Sequence, residues 1–163
     1  MHIILQIAIL TEQGKPKTYT MLNEEVRRIM TKNPVVVSPD STIAEVSKLM
    51  MEKVKQQIPV VKNGKLVGLI TSYDLWKNSN SGFKSDKGLV KDIMTTSIIK
   101  IAPKDKVGTA AELFMDKRFK TLPVVNLDND LKGIVTAFDV IKHVMTREYQ
   151  PSKTLYPEVF EES

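Results

Sequence analysis

The chain has 163 residues, with 24 Lys and Arg against 19 Asp and Glu, a formal net charge of +5, and 42% hydrophobic residues. That balance belongs to a folded chain and excludes wholesale disorder. Cysteine is absent and the histidines are two, His2 and His143, so disulfides, thiolate metal sites, cysteine nucleophiles and a three-histidine zinc site within one chain are all excluded. The positive excess is even: residues 21–79 and 80–146 each carry +3, and the last segment is acidic at −2. No run of Lys or Arg forms a basic arm, so small phosphorylated ligands suit the charge as well as nucleic acid does.

In chain order, residues 1–20 form an N-terminal extension that opens on the apolar stretch Met1–Leu10. Ten residues are too few for a bilayer-spanning helix, which needs about 20. No basic residue precedes the stretch and no small-residue cleavage site comes after it, so it reads as a strand or a partner-facing segment, and a cytoplasmic chain without a membrane anchor is expected.

The rest of the chain is dominated by an internal repeat. Val26–Thr31 matches Val90–Thr95 at an offset of 64, Pro39 matches Pro103, and Ile58-Pro59-Val60-Val61 matches Leu122-Pro123-Val124-Val125. After a one-residue insertion Leu66–Thr71 matches Leu131–Thr136 at an offset of 65, and Tyr73-Asp74 matches Phe138-Asp139. The first unit takes residues 21–79, a linker 80–88, the second unit 89–146, and an acidic tail with Tyr149, Tyr156 and Phe160 the rest. Turn-forming residues are dense from Asn78 to Gly88.

Each unit reads β-α-β-β-α. A short strand, Val35–Val37 or Ile98–Ile101, ends at a proline, which cannot donate to a ladder. A helix comes next, with Ile43, Val46, Leu49, Met50 and Val54 on its apolar face in the first unit and Val107, Ala110, Ala111, Phe114 and Met115 in the second. Thr42 and Glu45 have capping-box spacing; Thr109 and Glu112 repeat it from inside the expected helix. Strands 57–61 and 66–71 flank Asn63-Gly64, a type I′ hairpin signal, and Asn126–Asp130 serves the second unit as a longer loop. A second helix starts near Thr71 or Thr136 and runs to about Lys77 or Met145. A unit of about 55 residues buries little surface alone. Two copies therefore pack together, and the expected fold is α+β: two β-α-β-β-α repeats related by a pseudo-twofold axis, each with a small mixed sheet and two helices.

Enzymatic chemistry finds no foothold. The chain has no phosphate loop, no dinucleotide fingerprint and no metal-ligand spacing, and His143 reads as a helix residue. Asp128 and Asp130 sit in a turn, where Asp is at home. One constellation occurs twice at equivalent places: Thr71-Ser72-Tyr73-Asp74 and Thr136-Ala137-Phe138-Asp139, each where a strand passes into a helix. A helix start attracts phosphate, a Thr hydroxyl can donate to it, and an ionised Asp accepts from a vicinal diol. A ligand with both ribose and phosphate fits. So does a plain helix cap, which uses the same residues at the same spacing. Tyr73 and Phe138 are expected in the core, Trp76 between the repeats or at a dimer face, and the eight Met, including Met30, Met50, Met51 and Met94, as core filler.

With Ile-Met-Thr at 29–31 and 93–95, the Pro-Val-Val strand, the Leu-x-Gly strand and both Thr-x-x-Asp segments, the sequence resembles a tandem pair of CBS (cystathionine-β-synthase-type) domains over about residues 21–146. The resemblance implies a stand-alone regulatory module that senses AMP, ADP, ATP, S-adenosylmethionine or NAD in up to two clefts between the repeats. It implies no required cofactor, a homodimer built on the helices, and a separate regulated protein. By position, one cleft takes Thr136 for phosphate, Asp139 for ribose and Ile134 beside the base, with Thr31, backbone near Val36, Lys55 and Gln56 from the first repeat. The other takes Leu69, Thr71 and Asp74, with Thr95, Lys100, Phe119 and Lys120 from the second. Lys120, with Arg118 nearby, stands where the first repeat has Gln56, which favours the Thr136/Asp139 cleft for a phosphorylated ligand. Two other readings compete: a nucleic-acid-associated protein, and an interaction module with empty clefts.

Overall fold

The computed structural model describes residues 21–80, 88–117 and 120–148. The N-terminal extension, residues 81–87 of the expected linker, Arg118, Phe119 and the tail with its aromatic residues lie outside the described residues. The elements come in the order β1 (Thr31–Lys32), α1 (Ile43–Glu52), β2 (Gln57–Lys62), β3 (Lys65–Thr71), α2 (Ser72–Asn80), α3 (Val107–Lys117), β4 (Thr121–Val125), β5 (Leu131–Thr136) and α4 (Ala137–Glu148). Single 3₁₀ turns at Val26–Arg28 and Val90–Asp92 open the two repeats. This is the expected α+β duplication.

Local signals act where the sequence carries them. Thr42 Oγ1 accepts from the Glu45 N–H at 3.2 Å while the Thr42 N–H donates to Glu45 Oε2 at 2.9 Å, so α1 starts on a full capping box. Asn63 (φ 51°) and Gly64 (φ 78°) turn the β2–β3 hairpin through the left-handed region that a type I′ turn requires. In the second repeat Asn129 takes the positive φ of 64° in the longer loop.

Three expectations are corrected. The first strand of each unit shrinks to one parallel bridge, Val37 with Val60 and Ile101 with Val124. Val37 N–H donates to Pro59 C=O at 3.1 Å and Val61 N–H to Val37 C=O at 2.9 Å; Ile101 makes the same pair of bonds with Pro123 and Val125. The next rung on each side would need an N–H from Pro59 or Pro39, or from Pro123 or Pro103, and proline has none. Second, α1 ends at Glu52 and Val54 adopts a φ of 50°, which swings it off the apolar face into solvent. Third, Met51 and Met115 are exposed on the outer sides of α1 and α3, so only part of the methionine set fills the core. The helix α2 also runs past its expected end near Lys77 and takes in Asn80, the first residue of the expected linker.

The repeats are interlocked. Val26, which opens the first repeat, is fully buried in a core with Ile101, Val107, Leu122, Val124 and Val135 of the second. Val90, its counterpart, is fully buried among Val37, Val46, Ile58, Val60 and Ile70 of the first. Hydrogen bonds repeat the exchange in both directions: Val26 N–H to Asp105 C=O at 2.8 Å and Val90 N–H to Ser41 C=O at 2.9 Å; Arg27 N–H to Pro103 C=O at 3.0 Å and Lys91 N–H to Pro39 C=O at 2.9 Å. Each bond of a pair is the other moved by the repeat offset, which is what a pseudo-twofold axis demands. The axis passes where a residue meets its own counterpart. Lys65 meets Asp130 at one end, and Lys120 Nζ lies 3.5 Å from Gln56 Oε1 at the other.

Candidate functional site

Both Thr-x-x-Asp segments form the junction of a strand with a helix, β3 with α2 and β5 with α4. Their geometry is the same. Thr71 N–H donates to Asp74 Oδ2 at 2.9 Å, Thr71 Oγ1 donates to the same oxygen at 2.6 Å, and Asp74 N–H donates back to Thr71 Oγ1 at 3.1 Å. In the second repeat the three distances are 2.7, 2.7 and 3.2 Å for Thr136 and Asp139. The capping role is therefore real at both places. It also fixes the proton inventory. A hydroxyl has one proton, and here it points at the carboxylate, so either Thr must turn it away before donating to a phosphate. Each Asp commits Oδ2 to its own cap, which leaves Oδ1 as the acceptor on offer.

Strand pairing brings residues of the opposite repeat to each junction. β1 runs antiparallel to β5, with Thr31 opposite Ile134 and Lys32 opposite Gly133. At the equivalent place Thr95 and Leu69 exchange both backbone hydrogen bonds at 2.9 Å. The two carried-over clusters, Thr31/Ile134/Thr136/Asp139 and Thr95/Leu69/Thr71/Asp74, thus each lie along one strand and its cross-repeat neighbour. Glycine makes the approach feasible. A Cβ on Gly133 would stand 2.6 Å from the Thr31 carbonyl oxygen and 3.0 Å from Met30 Sδ, and one on Gly68 would overlap the Met94 sulfur.

The remaining predicted residues fall in different places. Gln56 and Lys120 sit at the pseudo-axis, each beside its own repeat's junction: Gln56 C=O accepts from Ser72 N–H at 2.9 Å, and Thr121, next to Lys120, is opposite Thr136 in the ladder. Lys55 is exposed just after α1. Lys100 turns its ammonium to Asn129 Oδ1 at 2.6 Å, and Asn129 donates to Leu66 C=O at 2.6 Å, so Lys100 is bound to the β4–β5 turn. Val36 lines a cavity of about 560 Å³ against α1, with Ser41, Glu45 and Leu49. Phe119 lies outside the described residues.

Tyr73 and Phe138, expected inside, are 62% and 69% exposed. The reason is helical phase: the third residue of each Thr-x-x-Asp segment sits one step before the Asp, on the side away from the core-packed residue of its helix, Leu75 on α2 and Val140 on α4. Tyr73 packs on Trp76 with ring centroids 5.7 Å apart, and both stay on the surface. On α4, Phe138, Ile141 and Met145 make a matching exposed stripe at helical spacing. Sequence reading missed the meeting of Lys65 with Asp130. The Lys65 ammonium and the Asn126 amide hold the Asp130 carboxyl down at about 2, below the ordinary 3.8. Among the described residues no cluster of His, Asp or Glu is placed to hold a metal ion, and no helix is long and apolar enough to cross a membrane.

The CBS domain family model matches residues 26–75 and 90–146, both repeats. This chain belongs to the CBS domain family. The pair of CBS repeats superposes on the CBSX2 protein of Arabidopsis thaliana in complex with AMP with a TM-score of 0.69, at 30% identity, covering 76% of this chain and 98% of that one. It superposes on the CBS domain pair of protein MJ0100, solved with 5′-methylthioadenosine and S-adenosyl-L-methionine, with a TM-score of 0.66 at 27% identity, covering 76% and 98% of the two chains. In sequence it is 30% identical to the CBS domain-containing protein YhcV of Bacillus subtilis over 123 residues, 76% of this chain and 87% of that one. Other curated relatives are longer, and the chain spans less than half of their length.

Proposed function

We propose that this CBS pair is a non-enzymatic regulatory module that binds an adenosine-containing ligand at the junctions between its repeats. The carrying observation is the duplicated Thr-x-x-Asp junction with a strand of the opposite repeat laid beside it, Thr31 at Ile134 and Thr95 at Leu69. A ligand seated there touches both repeats, so its binding energy bears on their relative position, which a partner protein reads. The AMP bound by CBSX2 and the S-adenosyl-L-methionine and 5′-methylthioadenosine bound by the MJ0100 pair support the adenosine class. Asp139 Oδ1 is the acceptor for the ribose diol, and the Thr136 hydroxyl reaches phosphate after turning from Asp139. Lys120, beside Thr136, supplies a positive charge that Gln56 does not, so the Thr136/Asp139 junction takes the phosphorylated ligand. The exposed stripes of α2 and α4 are paired by the pseudo-axis and form a twofold face for a second copy of the chain, making the working unit a cytoplasmic homodimer.

Isothermal titration calorimetry with AMP, ADP, ATP, NAD and S-adenosylmethionine tests the reading, on the wild type and on Asp139→Ala and Asp74→Ala. Saturable binding lost in Asp139→Ala supports it. Absence of heat with every ligand, on folded protein free of copurified nucleotide, overturns it in favour of an interaction module with empty clefts.

A further inference from the structure

A second polar feature lies outside the junctions. Glu24, Arg27, Arg28, Met30, Lys32 and His143 line a cavity of about 510 Å³ between the opening turn of the first repeat and α4. Among the lining residues, His143 has a side chain 10% exposed and an Nε2 that is buried with no hydrogen-bond partner, 3.9 Å from Glu24 Oε2. Arg28 Nε lies 3.9 Å from the same Glu24 oxygen, and Arg27 pairs with Glu25. Lys32 has no ion-pair partner among the described residues and also lines an adjoining cavity of about 480 Å³ with Arg27 and Lys132. Arg27, Arg28 and Lys32 thus line the cavity with one carboxylate, Glu24, and a buried imidazole nitrogen.

The duplication supplies an internal comparison. The counterparts of Arg27, Arg28 and Lys32, 64 residues on, are Lys91, Asp92 and Thr96; those of Lys132 and His143, 65 residues back, are Val67 and Asn78. Lys91 is tied to Asp40 at 2.9 Å. The repeats share their core pattern, yet among the described residues this set of cations beside a buried nitrogen without a hydrogen bond is not repeated at the equivalent positions. Core packing does not require such a cluster, because Arg27 and Arg28 point outward with side chains more than half exposed.

We infer that this cavity is an anion site for a small, multiply charged phosphate species, distinct from the nucleotide junctions and present once per chain. The two guanidinium groups and the Lys32 ammonium supply charge-assisted donors. His143 Nε2 supplies a further donor as the Nε2–H tautomer or as imidazolium, and the buried nitrogen gains the hydrogen bond it lacks.

The probe is inorganic pyrophosphate, titrated calorimetrically into full-length protein saturated with AMP, with the His143 ring followed by NMR and assigned against His143→Gln. The expected result is one pyrophosphate per chain and a shift of the His143 ring signals. Affinity falls at least about tenfold in Arg28→Ala/Lys32→Ala, is retained in Lys32→Arg, and is untouched by Thr96→Ala in the other half. Both altered side chains are exposed, and circular dichroism checks that the fold is kept. Absence of binding at millimolar pyrophosphate, or equal binding by the double variant, overturns the inference. So does displacement of pyrophosphate by AMP, which would place it at the junctions. If AMP itself does not bind, the pyrophosphate titration stands alone and the two readings fail or survive separately.

Discussion

Lys65 and Asp130 are each other's counterpart in the duplication, and they touch: Lys65 Nζ lies 2.6 Å from Asp130 Oδ1, and their backbones form an antiparallel bridge. Two equivalent residues meet only on the symmetry axis. Around this pair Leu66 N–H donates to Asn129 C=O at 3.0 Å and Leu131 N–H to Gly64 C=O at 3.2 Å, so the hairpin ends of both repeats are stitched together there.

The pair has a pH signature. Lys65 and Asn126 hold the Asp130 carboxyl at about 2 in the folded chain, against an ordinary 3.8. A depressed carboxyl stabilises above its unfolded value and stops doing so as pH falls through its folded value. The difference in Tm between wild type and Asp130→Asn should therefore be constant from neutral pH down to about 4 and should close as pH approaches 2. Thermal melts across that range check it. Asp130 is partly exposed at the surface, so the gap is modest and shrinks with salt.

The glycines that face Met30 and Met94 differ in tolerance. Gly133→Ala puts a methyl 2.6 Å from a backbone oxygen, that of Thr31, which cannot move without breaking the β1–β5 pairing. A loss of about 1–3 kcal/mol is expected. Gly68→Ala meets only the Met94 side chain, which can change rotamer, and should cost less. Urea unfolding of both variants gives the order.

Removing Asp139 has two separable effects. Asp139→Ala loses the two hydrogen bonds that its Oδ2 accepts from the Thr136 N–H and Oγ1, while the N–H of residue 139 can still donate to Thr136 Oγ1; the loss should cost about 1 kcal/mol in the ligand-free protein. It should also abolish the rise of Tm that saturating AMP produces in the wild type. Asp74→Ala carries the same cap cost but leaves most of the AMP-induced rise intact, because Lys120 lies beside the other junction. Melts with and without AMP distinguish a cap from a ligand contact.

The exposed stripe of α4 predicts an assembly. Phe138→Glu with Ile141→Glu places two charges at surface positions, so the stability of the chain should change little, while a dimer resting on that face should dissociate. Sedimentation equilibrium reads the mass directly. A dimer that survives both substitutions rests on another surface.

Much of the fold was legible because it is written in short-range hydrogen bonds. The Thr42–Glu45 box, the Asn63-Gly64 turn and the two Thr-x-x-Asp caps each close over two to four residues, and each appears where its sequence put it. The duplication was legible for the same reason, since similar local patterns recur at an offset of 64 and, after a one-residue insertion, 65. Even the shrinking of the first strands has a sequence cause, Pro39 and Pro59 on either side of Val37, though it emerges only once the parallel partner is known.

The duplicated β-α-β-β-α plan, and the position of both candidate junctions within it, are thus properties of the linear chain. Which half each segment serves is a property of the folded molecule alone. Folding put Val26 into the second core and Val90 into the first, set Thr31 against Ile134, turned Lys100 to Asn129, brought Gln56 to Lys120, and left Tyr73 and Phe138 outside. The difference lies in the range of the contacts. A cap is decided within one turn of helix, whereas burial and charge pairing depend on surfaces some 64 residues apart in the chain, and two near-identical repeats offer each segment two near-identical places to pack.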